Sequence, residues 1–416
     1  MKPCCFLVAV VLFMAALMAI MIGCDFDVTQ PRWYQPPTTT AVVTITGIDP
    51  VEATPGVNFI TIHGTNFTGA IDTVVIHNEN VDTTFIYNGV YFDKVLADAV
   101  EFSATSIKVR RPNLVSNSCI VKVVSNSALL VAKSPAPYRI DAVLQRYGSF
   151  LENVVLAVVA VDREENLYVV ETGSKYIYKI ATDGDKTNIG TATRVPTDAS
   201  IGPDGNLYLP ENNRAIDKVE IATGAVTRWT QLPSGKVVKF GDFGNNGYFY
   251  TGGTRTDLVI VPFDLSTTPT SAGFYANDEI LAIRFCNGYI YVVSRTSGSQ
   301  NPAKIWRHLL DATGKVGSQE LVLDMSTTGD FSSRMISAIA FSSNGTMYIA
   351  TDSPDPILVV DPATNNVDFF YKDILPSNCK QFGWGNGTYL YMISGDTNLG
   401  QEWTVYRVDM GTTGAP

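Results

Sequence analysis

The sequence predicts an all-β fold with two folded units, an N-terminal immunoglobulin-like β-sandwich and a C-terminal six-bladed β-propeller. The first observation is a short phrase, a turn made with Asn or Gly and then an aromatic-rich strand ending in Tyr, which recurs six times. The tyrosines that end the six copies are 40, 42, 41, 57 and 43 residues apart: Tyr168, Tyr208, Tyr250, Tyr291, Tyr348 and Tyr391. A period of about 40 residues made only of strands is typical of propeller blades. The second observation is a run of short alternating strands before the repeats, which is typical of a sandwich.

The N-terminal segment has the polarity order of a secretory signal. Lys2 precedes an apolar run over residues 5–22, which ends at Gly23 and Cys24. The residues before Cys24 resemble a bacterial lipobox, with Gly23 in place and Met21 where Leu is usual. The resemblance implies a lipoprotein signal peptide over residues 1–23, lipidation of Cys24 and anchoring to a membrane. An uncleaved transmembrane anchor of about 18 residues is the alternative.

Residues 24–40 are rich in Pro and Thr and predict an extended tether. Residues 41–137 then predict the sandwich, because β-branched residues alternate with polar ones in short strands separated by turns. The remaining cysteines, Cys119, Cys286 and Cys379, are odd in number and widely spaced, so we expect buried thiols rather than disulfides.

The sandwich segment also resembles a known family, the IPT/TIG domains. The resemblance rests on the phrases Ile48-Asp49-Pro50 and Thr54-Pro55-Gly56, on residues 60–67, which end in the corner Gly64-Thr65-Asn66-Phe67, and on residues 105–112. It implies an immunoglobulin-like fold that serves as a spacer or an interaction module and has no shared catalytic residues.

Residues 138–416 predict the propeller, with each Tyr-ending phrase as the second strand of a blade. The sixth blade lacks an outer strand of its own, because the sequence ends soon after residues 404–408. An unpaired edge would expose backbone donors and acceptors, so we expect residues 139–146 to pair with 404–409 and to close the ring. Motifs such as residues 204–208 and 357–362 resemble those of the NHL and streptogramin-lyase-like propellers. The resemblance lies in residues that form structural turns.

Charged residues at or after the ends of the second strands are the candidate binding residues of the propeller face. They are Glu171, Glu211, Arg255, Arg295, Asp352 and Asp396. Four carboxylates and two guanidiniums in a ring could hold a hydrated cation such as Ca²⁺, which takes six to eight oxygen ligands. Solvated loop ends are the alternative interpretation.

Composition and motifs exclude several classes of function. The formal net charge of −10 and the absence of a basic run argue against nucleic acid as a partner. No zinc spacing, phosphate loop or dinucleotide fingerprint occurs, and the propeller segment has a single histidine, His308, at a third-strand position predicted to face away from the axis. Aromatic residues such as Trp306 and Trp384 either stack on sugar rings or pack between blades.

These observations favour an exported lipoprotein, anchored to the bacterial cell envelope at the outer membrane or cell surface, that binds a protein or a glycan through its propeller face without catalysis. No cofactor is required by this interpretation. A Ca²⁺-dependent lyase or hydrolase that uses Glu171, Glu211, Asp352 and Asp396 is the alternative, and a purely structural part of an envelope assembly is a third.

Overall fold

The computed structural model describes residues 42–67, 73–78, 81–86, 89–124, 131–151, 153–299, 302–396 and 401–415. Regular structure in these ranges is almost entirely antiparallel β-sheet, with short 3-10 turns at Met325–Thr327 and Gly329–Phe331. No helix in the described ranges is long and apolar enough to cross a membrane. The signal segment, Cys24 and the tether lie outside the described residues.

Twelve strands form the N-terminal sandwich. They are β1 (Thr44–Asp49), β2 (Phe59–Thr65), β3 (Thr73–Asn78), β4 (Val81–Ile86), β5 (Gly89–Phe92), β6 (Val95–Ala97), β7 (Ala99–Phe102), β8 (Ser106–Arg110), β9 (Ser116–Cys119), β10 (Val121–Val124), β11 (Ala132–Lys133) and β12 (Tyr138–Ile140). One sheet has the order β1-β2-β8-β7 and the other β11-β10-β5-β6, while β3 pairs with β4 and β9 with β12. Strands of the two four-stranded sheets send side chains into a shared core that includes Ile60, Ile62 and Phe92.

The predicted corner after β2 is a tight turn that requires glycine. A Cβ atom on Gly64 would lie 2.0 Å from the Thr44 carbonyl oxygen and 2.4 Å from the Phe67 ring. Asn66 takes a positive φ of 59°, which asparagine tolerates better than most residues. The corner therefore packs Phe67 into the core directly under β1 and β2.

Twenty-four strands form the propeller. They are β13 (Leu144–Tyr147), β14 (Leu156–Val161), β15 (Leu167–Glu171), β16 (Tyr176–Ile180), β17 (Lys186–Thr191), β18 (Ser200–Ile201), β19 (Leu207–Pro210), β20 (Ala215–Val219), β21 (Val226–Gln231), β22 (Phe240–Phe243), β23 (Tyr248–Gly253), β24 (Thr256–Pro262), β25 (Thr270–Ser271), β26 (Asp278–Cys286), β27 (Tyr289–Thr296), β28 (Lys304–Leu309), β29 (Glu320–Asp324), β30 (Ile336–Phe341), β31 (Met347–Thr351), β32 (Ile357–Val360), β33 (Val367–Phe369), β34 (Gln381–Trp384), β35 (Tyr389–Asp396) and β36 (Gln401–Asp409).

These strands form six four-stranded sheets that circle one axis. Blades 1 to 5 are β14–β17, β18–β21, β22–β25, β26–β29 and β30–β33, and blade 6 has the order β34-β35-β36-β13. Each innermost strand contacts the innermost strand of the next blade, and β34 contacts β14 to complete the circle. The predicted fold class, a sandwich followed by a six-bladed propeller, is confirmed.

The ring is closed by a strand from upstream of the first blade. In β13, Leu144 pairs with Val408 and Tyr147 pairs with Val405 of β36, in antiparallel register. The predicted closure is confirmed, but the strand begins at Leu144 rather than near residue 139. Tyr138–Ile140 pairs instead with β9, because Tyr138 and Ile140 point into the sandwich core, where the Tyr138 ring meets Phe92 edge-on.

The repeated tyrosine of the second strands bonds to the preceding hairpin turn in blades 1, 2 and 3. Tyr168 donates its hydroxyl to Asp162 at 2.9 Å, and Tyr208 donates to Asp204 at 3.1 Å. In blade 3 the Tyr250 hydroxyl accepts from the Asn246 amide at 2.8 Å. In these three blades the tyrosine ring is buried while its hydroxyl bonds to the preceding turn, and the tyrosines of blades 5 and 6, Tyr348 and Tyr391, are buried as well.

The sandwich docks on the outer edge of blade 5 and on the end of β36. The Tyr371 hydroxyl accepts the Gly56 N–H at 2.6 Å and donates to the Asp409 carbonyl at 2.9 Å. Arg110 forms an ion pair with Asp368 at 2.7 Å, and the Asn58 amide donates to the Phe369 carbonyl at 2.8 Å. Backbone and charged contacts thus fix the sandwich to the propeller.

Substituting Tyr147→Ala will test the closure. The ring is only 7% exposed and packs on Tyr391, and its hydroxyl donates to the Ala181 carbonyl at 2.6 Å. We expect a loss of about 3–5 kcal/mol in the free energy of unfolding, measured by denaturant titration. Tyr176→Ala, whose residue is 42% exposed in blade 1, is the control and will change stability by about 0.5 kcal/mol or less. Equal losses in both variants would contradict the role of β13.

Candidate functional site

The propeller has two faces, which differ in the strand ends that they present. We call the face where the innermost strands begin the start face, and the face where they turn into the second strands the hairpin face. All six innermost strands run in the same direction, because each is followed by a hairpin to the second strand of its own blade. The second strands therefore end on the start face.

A polar network crosses the axis between these two faces. The Asp198 carboxylate accepts from Arg284 at 3.2 and 3.3 Å and from the Gly241 N–H at 3.1 Å. The Gln381 amide donates to the same carboxylate at 2.5 Å, while its oxygen accepts the Val159 N–H at 2.8 Å. The network thus joins blades 1, 2, 3, 4 and 6. We call Asp198, Arg284 and Gln381 the axial network.

Asp242 extends this network toward the hairpin face. Its carboxylate accepts the N–H groups of Phe285 and Phe243, both at 2.9 Å. Burial raises the pKa of Asp242 to about 6, against the opposing effect of the nearby Arg284 guanidinium. Burial lowers the pKa of Arg284, but the charges of Asp198 and Asp242 outweigh it, so the pKa lies above its usual value. Arg284 is therefore a permanent cation with its charge already paired.

A cavity of about 850 Å³ opens on the hairpin face directly beside this network. Arg284 and Asp242 line its deep end. Its walls carry the aromatic side chains Phe243, Phe285, Phe341, Phe382 and Trp384, from blades 3, 4, 5 and 6. A volume of this size falls within the range of small-molecule binding sites.

The rim of the cavity consists of hairpin turns that carry unpaired polar side chains. Asn245, Asn287 and Asn386, from blades 3, 4 and 6, are exposed and line the opening. Arg163 in the blade 1 hairpin is exposed beside them. None of these four side chains forms a hydrogen bond or ion pair with any other described residue. They are therefore available to a ligand.

The segment after β36 completes one side of the cavity. The Ala415 N–H donates to the Phe341 carbonyl at 2.9 Å, and the Gly414 N–H donates to the Gly387 carbonyl at 3.1 Å. A Cβ atom on Gly414 would lie 2.7 Å from the Trp384 ring, so this backbone presses directly on the aromatic wall. At its other end Gly411 contacts Pro55 of the sandwich. The segment thus links the sandwich contact to the cavity wall.

The six charged residues predicted from the sequence belong to the start face, opposite the cavity. Glu171 ends β15, where its carboxylate accepts from the Tyr178 hydroxyl at 3.3 Å. Arg295 near the end of β27 forms an ion pair with Glu279 at 3.0 Å. Glu171 and Arg295 are therefore each paired within their own blade.

Glu211 lies inside blade 2 rather than at a channel mouth. Its side chain is nearly inaccessible and accepts from Asn213 at 3.1 Å and from Arg228 at 3.5 Å. Burial, and a hydrogen bond with the Asp217 carboxylate, raise the pKa of Glu211 to about 7. The buried Asp217 Oδ2 has no donor in the described structure unless the Glu211 carboxyl carries a proton. A proton on the Glu211 carboxyl would supply the missing donor to Asp217, in keeping with the raised pKa of Glu211.

The other three predicted residues have different surroundings. Arg255 is exposed, takes a positive φ of 51° and reaches the Ser297 hydroxyl at 3.4 Å. Asp352 is exposed and accepts the Met335 N–H at 3.3 Å. The side chain of Asp396 lies outside the described part of the structure. Across the described residues, no group of three or more His, Cys, Asp or Glu side chains is placed to hold a metal ion.

The propeller histidine lies in the core of blade 4. His308 is fully buried, and its ring nitrogens meet the Tyr275 hydroxyl at 2.7 Å and the Gly317 carbonyl at 3.0 Å. Burial lowers the pKa of His308, so the ring is neutral and structural. Cys119, Cys286 and Cys379 are free and buried, as predicted.

Of the cavity residues, the sequence analysis named only Trp384, as a residue that stacks on sugars or packs between blades, although a signal for the others exists. An apolar residue stands at the last position of the innermost strand, or one position before it in blade 4: Val161, Ile201, Phe243, Phe285, Phe341 and Trp384. The repeat is clearest in the second strands, whose ends lie on the opposite face.

The raised pKa of Glu211 gives a test by pH. A carboxyl whose pKa is higher in the folded than in the unfolded state stabilises the fold below the unfolded value, about 4.3, and this stabilisation is lost as pH rises through about 7. In Glu211→Gln the amide can donate to Asp217 at every pH, so we expect its unfolding free energy to decline less between about pH 5 and pH 8 than that of the native protein.

Denaturant titrations at several pH values will measure the difference. Glu320→Gln, which removes an exposed ion pair with Arg307, is the control and will follow the native pH profile. Parallel pH profiles for Glu211→Gln and the native protein would show that Glu211 is ionised in the fold.

Comparisons with known proteins agree with this architecture. Residues 43–140 match the sequence profile of the IPT/TIG domain. An auxiliary nutrient binding protein from Bacteroides thetaiotaomicron is similar in structure, with 12% identity, a TM-score of 0.51 and coverage of 88% of this chain and 98% of that chain. No curated protein sequence matches.

Two further solved structures resemble the propeller. Regucalcin, a calcium-binding protein from Agrobacterium tumefaciens, has 13% identity and a TM-score of 0.51, with 65% of this chain and 94% of that chain covered. A gluconolactonase from Xanthomonas campestris has 12% identity and a TM-score of 0.50, with 64% and 89% covered. At these identities the likeness is one of fold, and the chain combines an IPT/TIG domain with a propeller-type domain.

Proposed function

We propose that this protein is a non-catalytic binding module whose propeller takes up a glycan in the hairpin-face cavity. The observation that carries the proposal is the composition of that cavity. Aromatic walls, unpaired amides at the rim and a charge-paired floor converge on one space of about 850 Å³. The function assigned here is binding, and the ligand is a saccharide rather than a protein.

The chemistry of the lining suits a sugar ring. Faces of sugar rings carry C–H groups that pack on aromatic side chains, and their hydroxyls need donors and acceptors around the edge. Trp384 and Phe285 are partly exposed in the wall, while Asn245, Asn287 and Asn386 offer both donor and acceptor groups. A protein surface would instead be expected to meet a flatter and broader patch.

The charge of the site favours a neutral ligand. The Arg284 guanidinium at the deep end is paired with Asp198 and lies near Asp242, so it has no unbalanced charge to offer. Nucleic acid is further disfavoured by the net charge of −10.

One comparison points in the same direction. The protein from Bacteroides thetaiotaomicron that shares the fold over 88% of this chain is described as an auxiliary nutrient binding protein. That printed description agrees with a binding role, and the cavity composition supports a saccharide as the ligand.

The proposal includes attachment to the cell envelope. Residues 1–24 support export and acylation of Cys24, and the Pro/Thr-rich residues 24–40 would hold the sandwich and propeller away from the bilayer. We propose exposure at the outer membrane or cell surface, where a glycan ligand is met.

Substitution of one rim amide will test the site. Asn287 takes a positive φ of 49°, so Asn287→Gly removes the side chain while keeping the backbone unstrained. A saccharide is first selected from a glycan array by the full-length protein in detergent, and its Kd is then measured by calorimetry. We expect the Kd to rise about 3- to 10-fold, which corresponds to the free energy of one lost hydrogen bond.

The matched control is Asn365→Gly in the outer hairpin of blade 5, where Asn365 is exposed and has a φ of 58°. Its Kd should equal that of the native protein. An array on which no saccharide is retained, or retention of proteins alone, would contradict the proposed function.

The anchor has a separate test, substitution of Cys24→Ser. We expect the variant to lose incorporated fatty acid and to move from the membrane fraction to the soluble fraction, because the acyl chains hold the protein on the bilayer. Metabolic labelling with a fatty-acid probe and cell fractionation measure both effects. A variant that stays in the membrane fraction would support the uncleaved transmembrane anchor instead.

A further inference from the structure

We infer that the hairpin-face cavity is a blind pocket that binds the end of a neutral glycan chain, rather than a stretch within the chain. The inference rests on the proposed function and deepens it. It is carried by the axial network, which closes the channel, together with the position of the cavity against that network.

The first step is that the channel does not run through the propeller. Asp198, at the centre of the network, has a side chain that is 0% exposed, so neither mouth of the channel reaches it. Its partners come from blades 3, 4 and 6, and Gln381 extends the contact to blade 1. In the remaining blade, blade 5, Ala338 and Ala340 of the innermost strand are buried in the core shared with blade 6.

The second step concerns the direction from which a ligand enters. Since Arg284 belongs to the network and also lines the cavity, the network is the floor of the cavity. The opening lies among the hairpin turns that carry Asn245, Asn287 and Asn386. A linear polymer can cross a groove or thread a tunnel, but a pocket with one opening admits only a terminus.

The third step concerns how much of the chain is enclosed. A cavity of about 850 Å³ accommodates a ligand of drug-like size, which corresponds to about two or three sugar units. The terminal unit would lie against Asp242 and Arg284, whose oxygens and N–H groups suit sugar hydroxyls. The next units would pass the aromatic walls and leave between the rim amides.

The experiment uses the full-length protein in detergent and linear α-glucan, β-glucan and β-xylan oligosaccharides of one to six units. For the series that binds, we expect affinity to rise up to about three units and then to remain constant. We also expect one protein molecule per polymer chain, because each chain has one terminus of the bound type. Modification of that terminus should reduce affinity at least 10-fold.

Two variants locate the terminal unit. Asp242→Asn keeps an oxygen that can accept a backbone N–H but changes the floor, so we expect Kd to rise about 3- to 10-fold for every length in the series. Asn287→Gly changes only the rim, so its effect should be absent for the shortest ligands and present for longer ones. Asp361→Asn, in an exposed outer turn of blade 5, is the control for Asp242 and should leave every Kd unchanged.

The outcomes separate the inference from the function on which it rests. Affinity that continues to grow with length, or several protein molecules bound along one chain, would overturn end recognition while leaving glycan binding in place. Equal effects of Asp242→Asn and Asn287→Gly at all lengths would overturn the placement of the terminal sugar unit at the floor of the cavity. Absence of binding by all three series would contradict the proposed function and the inference together.

Discussion

The buried Asp198 carboxylate is the interaction on which the centre of the propeller depends. It accepts from Arg284, Gln381 and a backbone N–H of blade 3, so three blades share one anion at the axis. A carboxylate and a guanidinium removed from water cost several kcal/mol unless each is paired and hydrogen-bonded, and here both conditions are met. The pairing sets the spacing of the inner strands and also divides the channel. The same pairing therefore links the inner strands of several blades and forms the floor of the cavity.

A second constraint connects the cavity to the sandwich. Tyr371 bridges Gly56 and the end of β36, and the chain then passes Gly411, which is pressed against Pro55, before Gly414 and Ala415 complete the cavity wall. A residue at position 411 must tolerate a φ of 64° and the absence of space for a side chain. The sandwich is thus more than a spacer, because it fixes the segment that forms one side of the proposed binding site.

The sequence predicted the fold well because local chemistry repeats along it. In blades 1 to 3 the tyrosine of the second strand bonds to its own preceding turn, and this pairing, Tyr208 with Asp204 for example, requires residues close together in the sequence. The site was harder to predict because its groups come from different blades. Nothing in the sequence shows that Asp198 meets Gln381, or that Glu211 is turned into blade 2 against Asp217 instead of facing the channel. Periodicity identifies blades, whereas contacts across the axis depend on how the closed ring brings them together.

At the rim of the cavity, the backbone of the hairpin turns serves the fold, while the side chains are left to contact a ligand. The backbone of Asn287 adopts the positive φ that its turn needs, and its side chain makes no contribution to the fold. Asn245 and Asn386 likewise stand on hairpins that are held by buried strands on either side. Side chains on such rigid turns lose little entropy when they bind, because the backbone is already fixed in the free protein. Changes at these positions would alter the ligand at small cost to the fold, so specificity in this propeller should vary at the rim while the axial network stays constant.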